Sequence, residues 1–283
     1  MSTAAQEPSS EPGVFTQTDA ATAPPEMAEE TVEASTVDTP AVRPILVIDI
    51  GGTKVKALAT GQTEPRKILS GRTMTPGKMV EEIRALTQDW AYEVVSIGYP
   101  GLVGGSGARS EAGNLGSGWV GFDFAAAFGM PVRIVNDAAM QALGSYEGGR
   151  MLFLGFGTGL GSTLIADNVV ITLELGNIPY SDGRSLADVL GRRGFRRLGK
   201  KVWRQIVAQV VPALMGAFVA DYVMLGGGNS KEIRPLPPGA RMGHNLTAFR
   251  GGYRLWHLDD VHTLDAAGDL PGGQQRPSEW RLV

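Results

Sequence analysis

Asp49-Ile50-Gly51-Gly52-Thr53-Lys54 follows the apolar run Ile45 to Ile48, and Gly157-Thr158-Gly159-Leu160-Gly161 follows Met151 to Leu154. Each reads as a buried strand entering a turn of small residues, where backbone N–H groups can close on phosphate oxygens without steric conflict. Between the two turns stands Asn136-Asp137. With Asp49 and Asp137 near the same phosphates, such a site can transfer a phosphoryl group. Spacing removes the common alternatives. No stretch has the G-x-x-x-x-G-K-[ST] of a Walker loop, and Gly155-Phe156-Gly157 fails the dinucleotide pattern because Leu160 stands where its third glycine belongs.

Outward from these turns, Ile45 to Ile50, Val55 to Thr60 and Lys67 to Arg72 read as opening strands. Thr75 and Pro76 are the N-cap and first position of a helix on which Met79, Val80, Ile83 and Leu86 recur at helical spacing. Val94 to Tyr99 and Val132 to Val135 return as strands, and a helix runs from Asn136-Asp137 through Gln141 and Leu143 towards Gly148. The second half repeats the plan with strands Met151 to Phe156, Ser162 to Ala166 and Val169 to Leu173. A long helix then spans Phe195 to about Ala220, which Pro212 should kink or divide. A strand from Tyr222 to Leu225 enters Gly226-Gly227-Gly228, and Ala248 to Leu255 starts a closing segment. Strands ending in functional turns imply α/β layering with ligands at the strand ends, here in a duplicated, two-lobed form with a central cleft.

Composition narrows the chemistry. In 283 residues there is no cysteine, which excludes disulfides and thiolate metal sites, and the first of three histidines is His244. Residues 1–243 therefore offer no His for a Ser-His-Asp triad or a zinc ligand. Residues 1–42 hold eight acids and no Lys or Arg, and are rich in Ala, Thr, Ser, Pro and Glu without a hydrophobic period. Residues 1–43 are expected to be a disordered acidic tail, without the basic start and apolar core of a signal peptide. The remainder carries 26 basic against 21 acidic residues, suited to anionic substrates but too modest for nucleic acid. The stretch Val210 to Ala220 is interrupted by Pro212 and Gly216 and falls short of the ~20 residues a membrane span needs. The expectation is a cytoplasmic protein.

Further blocks fall in a telling order: Gly98-Tyr99-Pro100-Gly101, then Asn114-Leu115 with Trp119-Val120-Gly121, then Asn136-Asp137-Ala138, and Glu174-Leu175-Gly176 after the second turn. With both phosphate turns and Leu225-Gly226-Gly227-Gly228, the chain from about Pro44 to Trp256 resembles the ROK-type sugar kinases of the actin, hexokinase and Hsp70 superfamily, and most of all the polyphosphate-dependent glucokinases. The resemblance implies an actin- and hexokinase-like, ribonuclease H-like α/β fold. Its lobes are expected at residues 44–135 and 136–256, with 257–283 as a C-terminal extension. It implies phosphoryl transfer from ATP or polyphosphate to the 6-hydroxyl of glucose, with Asp137 as general base and Asp49 organising Mg²⁺ through water. Gly51, Gly52, Thr53, Lys54, Gly157, Thr158, Gly159 and Gly161 would surround phosphate, and Gly226, Gly227 and Gly228 the nucleotide side. Asn114, Asn136, Asp137, Glu174 and Asn177 would hold the sugar.

The resemblance also has departures. The family's Glu-x-Gly-His block reads Glu174-Leu175-Gly176-Asn177, so Asn177 replaces a sugar-contacting His. The cysteine-rich zinc motif of many relatives is absent, so no zinc is expected. Related kinases are often dimers, which makes a homodimer a possibility. Trp119 reads as a packing residue, Asp123 as either a sugar contact or a helix cap, and Asp137 itself admits a capping role. The run Arg192, Arg193, Arg196, Arg197, Lys200, Lys201 suits either a polyanion track or a solvated helix face. Two rivals remain: a sugar-binding ROK regulator without catalysis, for which residues 1–42 lack a helix-turn-helix pattern and positive charge, and an actin-like ATPase module.

Overall fold

In the computed structural model the described residues are 43–167, 169–244, 246–256 and 262–264. The acidic tail and most of the C-terminal extension lie outside them.

The first sheet grows from an apolar strand. β1 (Ile45–Ile50) is buried along its whole length, as a strand covered on both faces must be, and Asp49 is its one charged residue. β2 (Lys54–Ala59) and β3 (Arg66–Leu69) complete an antiparallel meander. α1 (Pro76–Leu86) follows, with Thr75 capping the Lys78 amide. It buries Met79, Val80 and Ile83. β4 (Val94–Tyr99) then pairs parallel with β1. The chain continues through a small hairpin, β5 (Val103–Gly104) with β6 (Gly107–Ala108), and α2 (Phe124–Phe128). β7 (Val132–Asn136) adds parallel to β4, giving the order β3-β2-β1-β4-β7.

α3 (Asp137–Ser145) leads to the second sheet. A second meander, β8 (Met151–Phe156), β9 (Leu160–Ala166) and β10 (Val169–Leu173), is followed by a hairpin of β11 (Pro179–Ser181) and β12 (Arg184–Ser185). Then come α4 (Leu186–Leu190) and α5 (Arg192–Ala217). β13 (Tyr222–Gly226) pairs parallel with β8, and β14 (Ala240–Met242) parallel with β13. After α6 (Thr247–Arg254), β15 (His262–Leu264) joins the far edge, for the order β14-β13-β8-β9-β10-β15. Strand for strand, β1, β4 and β7 correspond to β8, β13 and β14. The duplication expected from the sequence is thus a repeat of topology.

The long helix departs from expectation at both marked points. It starts at Arg192, three residues before Phe195, because Gly191 precedes it without a side-chain cap and leaves no sequence signal. Its break lies at Gly199 (φ 74°), and the helix continues through Pro212. Glycine tolerates that left-handed conformation, whereas the carbonyl deprived of a partner by Pro212 belongs to exposed Ala208.

α6, last of the helices among the described residues, returns to the first sheet. A Cβ on Gly144 of α3 would collide with the Thr247 carbonyl, and one on Gly251 with the Met140 carbonyl, so the two helix backbones lie in direct contact. Ser96 Oγ on β4 donates to the Gly252 carbonyl at 2.7 Å and accepts from Trp256 Nε1 at 2.8 Å. Met140, Val47, Ala248 and Phe249 fill the space between. This packing seats α3, and therefore its first residue Asp137, against the first sheet. Among the described residues no helix is long and apolar enough to cross a membrane.

Candidate active site

The ends of the strands surround a cavity of about 700 Å³. Gly52 reaches it from the first turn, Pro100 and Gly101 from the end of β4, Asn114 from the loop beyond, and Asn136, Asp137 and Gln141 from β7 and α3. Opposite them stand Gly157, Thr158, Gly159 and Gly161 of the second turn, with Glu174, Asn177, Arg193 and Gly227. The structure thus brings together Asp137, all four expected residues of the second turn, and Asn114, Asn136, Glu174 and Asn177.

The first turn contributes less than expected. Gly51 donates its amide to the Lys54 carbonyl at 3.0 Å, which closes the turn on itself, and Asp49, Gly51, Thr53 and Lys54 lie outside the cavity lining. Asp49, 8% exposed, instead faces Lys56 across the β1–β2 ladder, with Oδ2 3.1 Å from Nζ. Of the third glycine turn only Gly227 lines the cavity, at φ 81° and with Phe156 backbone 2.7 Å from where a Cβ would stand. Gly226 and Gly228 do not.

Asn136 sets the position of its neighbour. Its Oδ1 caps α3 by accepting the Ala138 amide at 2.9 Å and the Ala139 amide at 3.2 Å, and its Nδ2 donates to the Gly101 carbonyl at 3.0 Å. The side chain is therefore largely committed within the protein, retaining one amide hydrogen for a ligand. Asp137 is then not the cap but the first helical residue, with Oδ1 accepting the Ala138 amide at 2.8 Å. Gly161 lets the second turn close on this helix start, since a Cβ there would stand 2.9 Å from the Ala138 Cβ.

The Asp137 carboxyl is pushed up to about 7, first by removal from water, then by the Asp49 carboxylate and, less, by Glu174, against the lowering effect of the Ala138 amide. Asp137 is half-buried at the cavity wall. Loss of water also raises Glu174. A carboxyl that titrates near neutrality beside two others is the arrangement of a general base.

Loop order is supplied from outside the site. Glu111 Oε1 accepts the amides of Gly118 and Trp119 at 3.1 Å and of Val120 at 3.2 Å, tying down the segment after Asn114. Trp119 is fully buried against Tyr99, ring centroids 5.2 Å apart, so it packs and offers no stacking platform. Asp123 caps α2 through the Ala126 amide at 2.9 Å and stands outside the cavity lining.

Sequence reasoning missed Arg72 and Gln141, which line the cavity, and Glu111 and Lys56, which support it. Gln141 was discoverable, lying one helical turn beyond Asp137 on the same face. Lys56 follows from pairing a tight hairpin across Gly51-Gly52. No sequence signal marked Arg72.

Comparison with known proteins shows what the chain is similar to. Residues 45–179 match the model described as ROK family. A polyphosphate glucokinase of Mycobacterium tuberculosis is 27% identical over 215 residues, covering 65% of this chain and 77% of that protein. A bifunctional enzyme NanE/NanK of Brucella melitensis is 35% identical over 173 residues, covering 55% of this chain and 32% of that protein. The crystal structure of an inorganic polyphosphate/ATP-glucomannokinase from Arthrobacter superposes with a TM-score of 0.67 at 22% identity, over 76% of this chain and 99% of that one. This chain carries a ROK family domain over residues 45–179 and has the actin- and hexokinase-like fold of the ROK sugar kinases.

Proposed function

We propose that the protein is a carbohydrate kinase that moves a phosphoryl group from ATP or polyphosphate to a hexose, with the 6-hydroxyl of glucose as the leading acceptor. The observation that carries this reading is Asp137: a carboxyl near pKa 7 at the start of α3, on the wall of a cavity that also takes in the second glycine turn, Gly52 and the hydroxyl-binding set Asn114, Glu174 and Asn177. The kinase names of the relatives from Mycobacterium and Arthrobacter support it.

On this reading the sugar lies against Asn114, Glu174 and Asn177, whose amides and carboxylate accept and donate to neighbouring hydroxyls. Asp137 takes the proton of the attacking hydroxyl as the O–P bond forms, and the donor leaves as ADP or as a chain shortened by one phosphate. Proton acceptance of this kind contributes ~10²–10⁴ in rate. Backbone amides of the second turn and of Gly52 hold phosphate oxygens, and Arg72 adds positive charge where negative charge accumulates.

Mg²⁺ is proposed on the donor phosphates, because the negative charge of Asp49 and Glu174 reaches Asp137 and Mg²⁺ takes oxygen ligands while keeping several waters, so it needs few direct protein contacts. Asp49 would hold the ion, chiefly through water, and the ion would supply charge neutralisation on the donor phosphates.

A coupled assay across glucose, mannose and N-acetylated hexoses, with ATP and polyphosphate in parallel, tests the proposal. Turnover that requires a sugar supports it. ATP hydrolysis independent of sugar would favour an actin-like ATPase module, and sugar binding without turnover a regulator. We retain residues 44–135 and 136–256 as the proposed lobes and a cytoplasmic location as part of this reading.

A further inference from the structure

The basic run of α5 is divided by the fold. Lys200 Nζ lies 2.7 Å from Glu232 Oε2, Arg197 Nη2 donates to the Asp188 carbonyl at 3.1 Å, and the helical path breaks at Gly199. No single cationic face therefore runs from Arg192 to Lys201. Of these six residues, Arg193 is the one that lines the cavity. It makes no salt bridge with a described residue, although it lies within electrostatic reach of the Asp188 carboxylate, itself engaged by the Ser185 amide and hydroxyl.

Its backbone is fixed to the second glycine turn. The Arg192 amide donates to the Gly157 carbonyl at 3.0 Å. A Cβ on Gly191 would stand 2.7 Å from the Thr158 carbonyl oxygen and 3.0 Å from Gly159 Cα, so that residue must be glycine for α5 to begin where it does. Any movement of the turn carries the first residues of α5 with it. A planar guanidinium in this place presents a fork of N–H donors matched to phosphate oxygens, with less hydration to lose than an ammonium.

We propose that Arg193 binds the distal phosphates of a condensed-phosphate donor, the chemistry shared by a nucleoside triphosphate and an inorganic polyphosphate, and that it sets donor affinity while the rest of the basic run does not. This rests on reading the cavity as a phosphotransferase site. The pairing of Arg193 with the second turn would give donor phosphate both a backbone cradle and a side-chain charge.

The test uses the full chain and its Arg193→Gln, Arg193→Lys and Lys200→Gln variants. Calorimetric titration with tripolyphosphate and with ATP, each with Mg²⁺, is run beside initial-rate kinetics. Arg193→Gln should weaken donor binding about tenfold or more, the loss of a charge-assisted contact, with the KM for sugar within about twofold. Arg193→Lys should recover part of that loss, Lys200→Gln should match the wild type, and the difference should shrink as salt rises. A loss confined to tripolyphosphate or to ATP supports the assignment and names the donor. Unchanged donor binding in Arg193→Gln, or an equal loss in Lys200→Gln, overturns it. Should the wild type phosphorylate no sugar while the titrations behave as expected, the kinase reading fails and the Arg193 assignment stands.

Discussion

The Asn136 amide and the Gly101 carbonyl lie 3.0 Å apart, and this bond joins the start of α3 to the turn that leaves β4. Because the same side chain caps α3 through the Ala138 and Ala139 amides, one residue determines where Asp137 stands relative to the first sheet. Asn136→Ala should cost about 1 kcal/mol through the lost cap, lowering the melting temperature by roughly 2–4 °C, and should reduce turnover as well. Asn136→Ser restores a cap without the reach to Gly101. It should recover melting temperature but not kcat, and recovery of both would remove Asn136 from the positioning of the base.

Asp137→Asn removes proton acceptance and keeps the shape. Turnover should fall by at least ~10²-fold while sugar affinity stays within a few-fold. A variant that keeps a third of wild-type turnover would end the assignment.

The raised pKa of Asp137 also fixes the sign of a stability effect. Its folded value, about 7, exceeds that of an ordinary carboxyl, so between roughly pH 4 and 7 the folded state holds a proton that the unfolded state has released. This group therefore lowers stability as pH rises through that window. Asp137→Asn should be more stable than the wild type at pH 8, by a few degrees in melting temperature, and no more stable at pH 4. Equal shifts at both pH values would mean that the carboxyl is not desolvated.

In kinetics the same group should give kcat/KM for the sugar an acid limb with a midpoint near 7, because that ratio reports the free enzyme. A kcat/KM limb at pH 4–5 would argue against a base in this environment.

Asn177 lines the cavity, at the position where the resemblance to ROK-type kinases implies a histidine. Asn177→His should tighten sugar binding by about 1 kcal/mol, because the longer ring completes a hydrogen bond to a hydroxyl. Unchanged or weaker glucose binding by calorimetry would indicate a pocket shaped for another acceptor.

The contact of α3 with α6 gives a further test. Gly251→Ala places a methyl against the Met140 carbonyl, a backbone atom that has no flexible end to move aside. A loss of about 1–3 kcal/mol is expected, with reduced turnover because α3 carries Asp137. Conversely, Ala at Gly228, which faces open space, should leave stability nearly unchanged.

Much of the fold was legible in the chain because its signals are local. Apolar runs bounded by glycine turns gave the strands of both meanders, Thr75-Pro76 gave the start of α1, and Asn136-Asp137 marked the start of α3. The repeated order of these signals gave the duplicated plan. The start of α5 was illegible because Gly191 offers no capping side chain, and its break was misplaced because Pro212 is a stronger sequence signal than Gly199 although the geometry favours the glycine.

By itself the sequence determined which residue types were available: two glycine turns, one Asn-Asp pair between them, and no cysteine or early histidine to support a different chemistry. Tertiary structure decided which of them share a cavity and in what electrostatic state. Sheet register turned Lys56 towards Asp49, the glycine contacts of α3 with α6 and β9 brought Asp137 to the second turn, and the return of α5 onto that turn selected Arg193 from six similar cations. Charge state and proximity depend on desolvation and on contacts between residues far apart in the chain, and neither quantity exists until the chain has folded.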